Sequence, residues 1–378
     1  MYVYLWRHGC ALAMNLPLRT RVATLQWSEH RQALALAFSA PESDEFAQAV
    51  DWLRTDEHLD RVAFLVHHGL AAGVSDRLRR LDIFFSIPTN GRETLTNELR
   101  SASVLYLTQT HSLAAIADAL DRAGIAYVTL KGAAIRDEVY SVPSLRVAGD
   151  IDLLVRPGSR GAAADLLTRL GFSERLDERE SAHERTFFRG RVDIDLHWDI
   201  LRPGRSRRPI VDSLLSGRVR GVKTWRLNDA DAVFLMLVHP AFTKYVCSPH
   251  MGLNRVLDFL FFTGSRAIDW SAVEGRLDET GMKAAAWCTL RWFQYVSPST
   301  LAVPLSFLDT ICPGKLRRKY LEFWIEHDLP GRLLNRADWF IQGAFTLFLH
   351  DRAGDAWRAL AGRLTSAPPD HSQAARIV

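Results

Sequence analysis

Apolar positions recur three and four residues apart through Glu45–Leu53, Leu59–Leu70 and Thr94–Leu120. That spacing gives a helix one apolar face, so the first third of the chain is expected to be helical. From Ile125 the pattern changes. Tyr127-Val-Thr-Leu130 is a short β-branched and aromatic run, and Lys131–Tyr140 follows it with a glycine at the junction and helical spacing beyond. This predicts strand, turn, helix. Asp150-Ile-Asp-Leu-Leu-Val155 predicts a second strand, and Ala162–Leu170 a helix stopped by Gly171. Glu184–Phe188 and Val192–Trp198 predict two strands joined at Arg189-Gly190-Arg191. Asp229–Val246, and nearly everything to position 363, reads as helix.

The expected fold class is therefore α+β, a small mixed sheet with helices, flanked by N-terminal helices and a C-terminal helical domain. The expected divisions are 1–92 for the N-terminal helices, 93–220 for the mixed core, 221–365 for the helical domain and 366–378 for a flexible tail.

Composition narrows the class. A chain of 378 residues, 48% hydrophobic and 24% charged, can bury more than one core and excludes wholesale disorder or a fibrous repeat. The net charge of +4 permits a polyanionic substrate without demanding one. Cys10, Cys247, Cys288 and Cys312 form no CxxC pair, so buried thiols are expected instead of a zinc site or disulfides. No window reaches the roughly 18 apolar residues of a membrane span, and no basic segment followed by an apolar run opens the chain. A cytoplasmic protein is expected.

The chemistry lies in two acidic strands. Side chains alternate along a strand, so Asp150 and Asp152 project from one face, about 6.5 Å apart along the chain. In Val192-Asp-Ile-Asp-Leu-His-Trp198 the same alternation puts Asp193, Asp195 and His197 on one face and Val192, Ile194 and Leu196 on the other. Carboxylates from two strands repel in a partly buried cleft unless a cation lies between them. Mg²⁺ suits such a site, because it takes oxygen ligands and keeps waters or substrate phosphates. Upstream, Leu130-Lys-Gly-Ala-Ala134 turns a strand into a helix N-terminus, whose amides favour phosphate while Gly132 allows close approach. Acids for metal and amides for phosphate imply a nucleoside triphosphate.

The order Lys131-Gly132, Arg146, Gly149-Asp-Ile-Asp-Leu-Leu-Val155, Gly171-Phe172 and Val192-Asp-Ile-Asp-Leu-His-Trp198 resembles the uncharacterised nucleotidyltransferase family of the DNA polymerase β-like superfamily. His67-His68-Gly69-Leu70, Leu237-Val-His239, Arg255-Val-Leu-Asp258 and Ile268-Asp-Trp270 extend the resemblance weakly, over about residues 60 to 290. The resemblance implies Asp150 and Asp152 as paired metal ligands, and a third acid that is both ligand and general base. Asp193 and Asp195 both qualify by direction. The family's acid before an apolar residue and His-Trp favours Asp195, leaving Asp193 and His197 as accessory residues. Lys131, Gly132 and Arg146 would bind the nucleotide. Where the wider superfamily carries Gly-Gly or Gly-Ser, this turn has Gly132-Ala133, with no hydroxyl for the phosphates.

The resemblance therefore implies a nucleotidyltransferase using two Mg²⁺ ions, with Mn²⁺ as a substitute, and an NTP as substrate. The acceptor hydroxyl belongs to a small molecule, peptide or protein, favoured over nucleic acid by the modest charge. Two alternatives share the fold: a phosphate-transferring enzyme, and a non-catalytic regulatory or toxin–antitoxin protein. The basic loop at 202–209, with Arg202, Arg205, Arg207 and Arg208, reads either as a solvated loop or as a guide for a phosphorylated acceptor. Asp152→Asn is expected to abolish transfer and leave the fold intact, on the view that the residue lies at an open cleft.

Overall fold

The computed structural model describes residues 27–175, 183–247, 252–297, 301–329, 333 and 338–365. Cys10 and the expected tail lie outside them. Four helices open the described chain, α1 (Ser28–Phe38), α2 (Asp44–Arg54), α3 (His58–His67) and α4 (Ala71–Arg80), followed by the long α5 (Thr89–Arg122). Their apolar faces bury Leu34, Phe46, Leu53, Leu65 and Val74. The expected division at position 92 falls inside α5.

The mixed region then runs β1 (Tyr127–Leu130), α6 (Lys131–Val139), β2 (Asp150–Val155), α7 (Arg160–Arg169), β3 (Ser173–Glu174), β4 (Glu184–Arg189), β5 (Val192–His197), α8 (Val211–Ser216), β6 (Val219–Arg220) and β7 (Trp225–Arg226). The strands form one sheet in the order β3-β4-β5-β2-β1-β7-β6. The pairing is mixed: β2 is parallel to β5, and antiparallel to β1. The turn between β4 and β5 takes Gly190 at φ +59°, as the hairpin expected there requires. Of the seven strands, β3, β6 and β7 have two residues each, too short to carry a period in the sequence.

Alternation gives the sheet two unlike faces. Ile151, Leu153, Val155, Ile194 and Leu196 pack with Leu113, Ile116 and Leu120 of α5 and Leu166 and Leu167 of α7. The opposite face carries the acids and His197, beside Val128, Leu130 and Leu154, which belong to the core of the helical regions. The acidic face therefore looks toward helices on both sides of it in sequence.

Those later helices are α9 (Asp229–Thr243), α10 (Asn254–Ser265), α11 (Trp270–Thr280), α12 (Lys283–Val296), α13 (Leu305–Ile311), α14 (Lys315–Glu326), α15 (Asp338–Thr346) and α16 (Ala353–Thr365). Capping starts two of them: Asn228 accepts from the Asp231 amide, and Asp269 accepts from Ser271 and Ala272. Phe259 and Phe262 of α10 are fully buried, as core packing requires. At Gly69, φ is +70° and a Cβ would collide with Asn254, while the Asn254 amide donates to the His68 carbonyl. The His-His-Gly turn thus fastens the N-terminal helices to the start of α10.

The basic loop is tied down in part. Arg205 donates to the Phe242 carbonyl at 2.7 Å, and Arg207 to both oxygens of Asp355 and to the Asp278 carbonyl. Of its four arginines, Arg202 and Arg208 are exposed. No helix is long and apolar enough to cross a membrane among the described residues. Cys247 and Cys288 are buried free thiols.

Candidate active site

Register brings the acids together. Parallel pairing of β2 with β5 sets Asp150 opposite Asp193 and Asp152 opposite Asp195. On the far side of β5, antiparallel β4 sets Thr186 opposite Asp195 and Glu184 opposite His197. Residues in register share a face, so Glu184 and Thr186 join the acidic front. Sequence reading overlooked both, although their two-residue spacing on the expected strand put them there.

Asp152 is the hub. Its carboxylate is 2% exposed, takes the Lys131 ammonium at 2.5 Å, and meets His197 Nε2 at 2.8 Å. The open-cleft expectation for this residue is therefore corrected. Burial pushes its pKa up, but the charge of Lys131 and the hydrogen bond from His197 outweigh that and hold it well below the usual range. Behind Asp152, His197 Nδ1 lies 3.0 Å from Glu184 Oε2, so one imidazole spans two carboxylates. Burial and Lys131 lower the His197 pKa, yet hydrogen bonds to Asp152 and Glu184 raise it overall. Glu184 is held down to about 2: burial opposes this, and His197 overcomes it.

Asp150 is the opposite case. It is exposed at the mouth of the cleft, and its carboxylate has no hydrogen-bond partner among the described residues. Repulsion from Asp152, then burial and Asp195, push its pKa up to about 6 against the pull of Lys131 and Arg255. Asp195 accepts from Thr186 Oγ1 at 2.7 Å, and burial raises its pKa despite that bond. Asp193 shares their face but pairs with Arg175 at 3.2 Å, toward the sheet edge.

Lys131 opens α6 with φ +51°, a left-handed conformation that non-glycine residues rarely take. It carries the side chain back toward β2. At Gly132 a Cβ would press into the Arg146 guanidinium, with Cζ at 2.8 Å. Arg146 is 6% exposed and its hydrogen bonds go to both oxygens of Asp258 and to the Val147 carbonyl. Tyr140 adds a hydroxyl to Asp258 at 2.8 Å. The structure thus places Arg146 beside the turn as a fastened cation.

The donor set fits a divalent ion. Ligand atoms of Asp152, Asp195 and His197 lie within 4.8 Å of one another, as do those of His183, Glu184 and His197. Asp150 stands just outside the tighter group, yet its partnerless carboxylate, forced toward neutrality by neighbouring charge, marks a place where positive charge is missing. Carboxylate oxygens are what Mg²⁺ and Mn²⁺ take.

A mixed sheet with acids on paired strands, beside a Lys-Gly turn opening a helix, is the core of a nucleotidyltransferase. The chain belongs to the uncharacterised nucleotidyltransferase family, which matches residues 57–296. That span starts just before α3 and ends with α12, so the family includes helices on both sides of the sheet. No curated protein matches the chain closely.

Proposed function

We propose that the protein moves a nucleoside monophosphate from an NTP to an acceptor hydroxyl and releases pyrophosphate. The convergence of Asp150, Asp152 and Asp195 on one sheet face carries this reading, because three carboxylates there need cations that a magnesium–triphosphate substrate brings. Asp150 and Asp152 would hold one Mg²⁺, and Asp152 and Asp195 a second. Bound there, the ions neutralise the triphosphate and make the acceptor hydroxyl more acidic.

The remaining roles belong to the chain. Asp195, its pKa raised by burial, takes the hydroxyl proton as the acceptor oxygen bonds to the α-phosphorus. The bond from that phosphorus to the bridging oxygen breaks, and its electron pair leaves with pyrophosphate. Thr186 orients Asp195 through its hydroxyl. His197 holds Asp152 in place from behind, supported by Glu184. Lys131 keeps Asp152 neutralised before substrate binds and lies where it can pass to a phosphate. Gly132 and the first amides of α6 would take the phosphates, and Arg146, packed against Gly132, adds positive charge there. The net charge of +4 favours a small-molecule, peptide or protein acceptor over a long nucleic acid.

The test is label transfer from each NTP, carried at the α or the γ phosphate, with Mg²⁺ or Mn²⁺ and a cell extract as acceptor source. The α label should appear on an acceptor with wild type and disappear with Asp150→Asn. Transfer of γ label alone would replace this reading with phosphoryl transfer. Absence of both transfer and NTP binding would favour a non-catalytic protein.

A further inference from the structure

The helical side of the cleft presents a cation that the fold does not use. Arg255, in the first turn of α10, makes no side-chain hydrogen bond or ion pair among the described residues. Of the carboxylates whose charge reaches it, Asp258 is engaged by Arg146 and Tyr140 and Asp152 by Lys131 and His197, while Asp150 lies nearby without a hydrogen bond to it. Arg255 lines a pocket together with Lys131 and Gly132 of the turn that opens α6, and with Arg146 and His239. Its charge is felt at Asp150 and His239. His239, 7% exposed, is held neutral by burial and then by Lys131 and Arg255, which marks the pocket as a region of surplus positive charge.

The backbone beside it is unusual. Tyr245 and Val246, shortly after α9, hold φ of +51° and +55°, and Lys131 in the pocket wall holds +51°. A β-branched residue in this conformation is an outlier, and such strain persists where surrounding structure enforces it. The Val246 amide donates to the carbonyl of Pro240, which lines the same pocket.

We propose that Arg255 is a binding residue for the terminal phosphates of the nucleoside triphosphate. The proposal rests on the nucleotidyltransferase reading and adds how the site tells a triphosphate from a monophosphate. Lys131 and Gly132 line the pocket from the start of α6, with Lys131 bonded to Asp152, and Arg255 supplies a guanidinium from α10. A planar fork with five donors suits the oxygens of a polyphosphate chain, and a partnerless cation in a half-buried pocket has the most to gain from such a ligand. Selection for the triphosphate then comes from a residue outside the acidic strands.

The experiment uses the whole chain, wild type, Arg255→Gln and Arg255→Lys, in equilibrium binding with Mg²⁺. The probes are the four NTPs, the matching monophosphates and inorganic tripolyphosphate. Arg255→Gln should weaken NTP and tripolyphosphate binding about tenfold or more and leave monophosphate binding within about twofold, with Arg255→Lys between it and wild type. Thermal midpoints of all three should agree, since no partner in the fold is lost. Unchanged NTP binding in Arg255→Gln, or equal loss for NTP and monophosphate, would overturn the role of Arg255 while leaving nucleotidyl transfer standing. Arg255-dependent binding of tripolyphosphate without any nucleotide binding would keep this anion site and overturn the nucleotide reading. No binding of any probe by wild type would overturn both.

Discussion

Asp150 and Asp152 are separated by one residue, yet they do different things to the fold. Asp152 is buried against Lys131 and His197, so Asp152→Asn leaves the Lys131 ammonium and the His197 ring facing a neutral amide. Breaking a buried pair in this way is expected to cost on the order of 3 kcal/mol, seen as a lower urea midpoint with unchanged slope. Asp150 has no such partner and suffers repulsion, so Asp150→Asn should be neutral or stabilising by less than about 1 kcal/mol, water at its exposed position screening the gain. The pH dependence has a definite sign. A folded pKa of about 6 against an ordinary 3.8 means the folded form holds the proton longer, so this group lowers stability as pH rises between those values. Asp150→Asn should remove that fall. Both variants should lose transfer, and only Asp152→Asn should lose stability. Equal destabilisation by the two would contradict this distribution of charge.

The pair Arg146–Asp258 joins the sheet region to α10 across 112 positions of sequence, with both side chains 7% exposed. Asp258→Asn should cost about 3–5 kcal/mol by stranding a buried guanidinium, more than Asp258→Asn adds to a protein already carrying Arg146→Met. A double-mutant cycle in urea measures the difference, and simple additivity would mean that the pair does not couple the two elements. Gly132→Ala strikes the same device from the other side. Its methyl would displace a guanidinium pinned by Asp258, a cost of about 1–3 kcal/mol read from the same denaturation curves. These contacts also show what the sequence could disclose. Strands β1, β2, β4 and β5 and the helices beside them were legible because apolar residues repeat at two or at three and four. The faces of Asp150, Asp152, Asp195 and His197 followed from that alternation. Partners across the fold did not. Nothing local to Arg146 points to Asp258, and nothing near Lys131 shows that its ammonium turns back to Asp152. The expectation that Arg146 binds the nucleotide could not include Asp258, because a lone arginine before an acidic strand gives no sign of what holds it.

The whole molecule is a sheet whose acidic face is closed in by helices from both ends of the chain, and the helical regions have their own weak point in acid. His350, 2% exposed, packs its ring 5.0 Å from that of Phe242, with Nδ1 buried and without a hydrogen-bond partner among the described residues. Burial first, then Arg205, lowers its pKa to about 4, with Arg317 and Arg358 acting the same way and Asp355 opposing them. An unfolded chain would take this proton near 6.5, so the unfolded state gains on acidification. The stability this group contributes is complete above that value and is lost as pH falls toward 4, up to about 3 kcal/mol. His183, lowered to about 4, and His30, lowered to about 3, act in the same direction, burial being the leading cause for both. His350→Phe keeps a ring against Phe242 and removes the titration. Its unfolding free energy should therefore fall less steeply than that of wild type between pH 6.5 and 4, while the two run parallel above pH 7. Urea denaturation at half-unit steps of pH decides it. Curves that stay parallel down to pH 4 would show that His350 is not what acid attacks, and would move the sensitivity to His183 and His30.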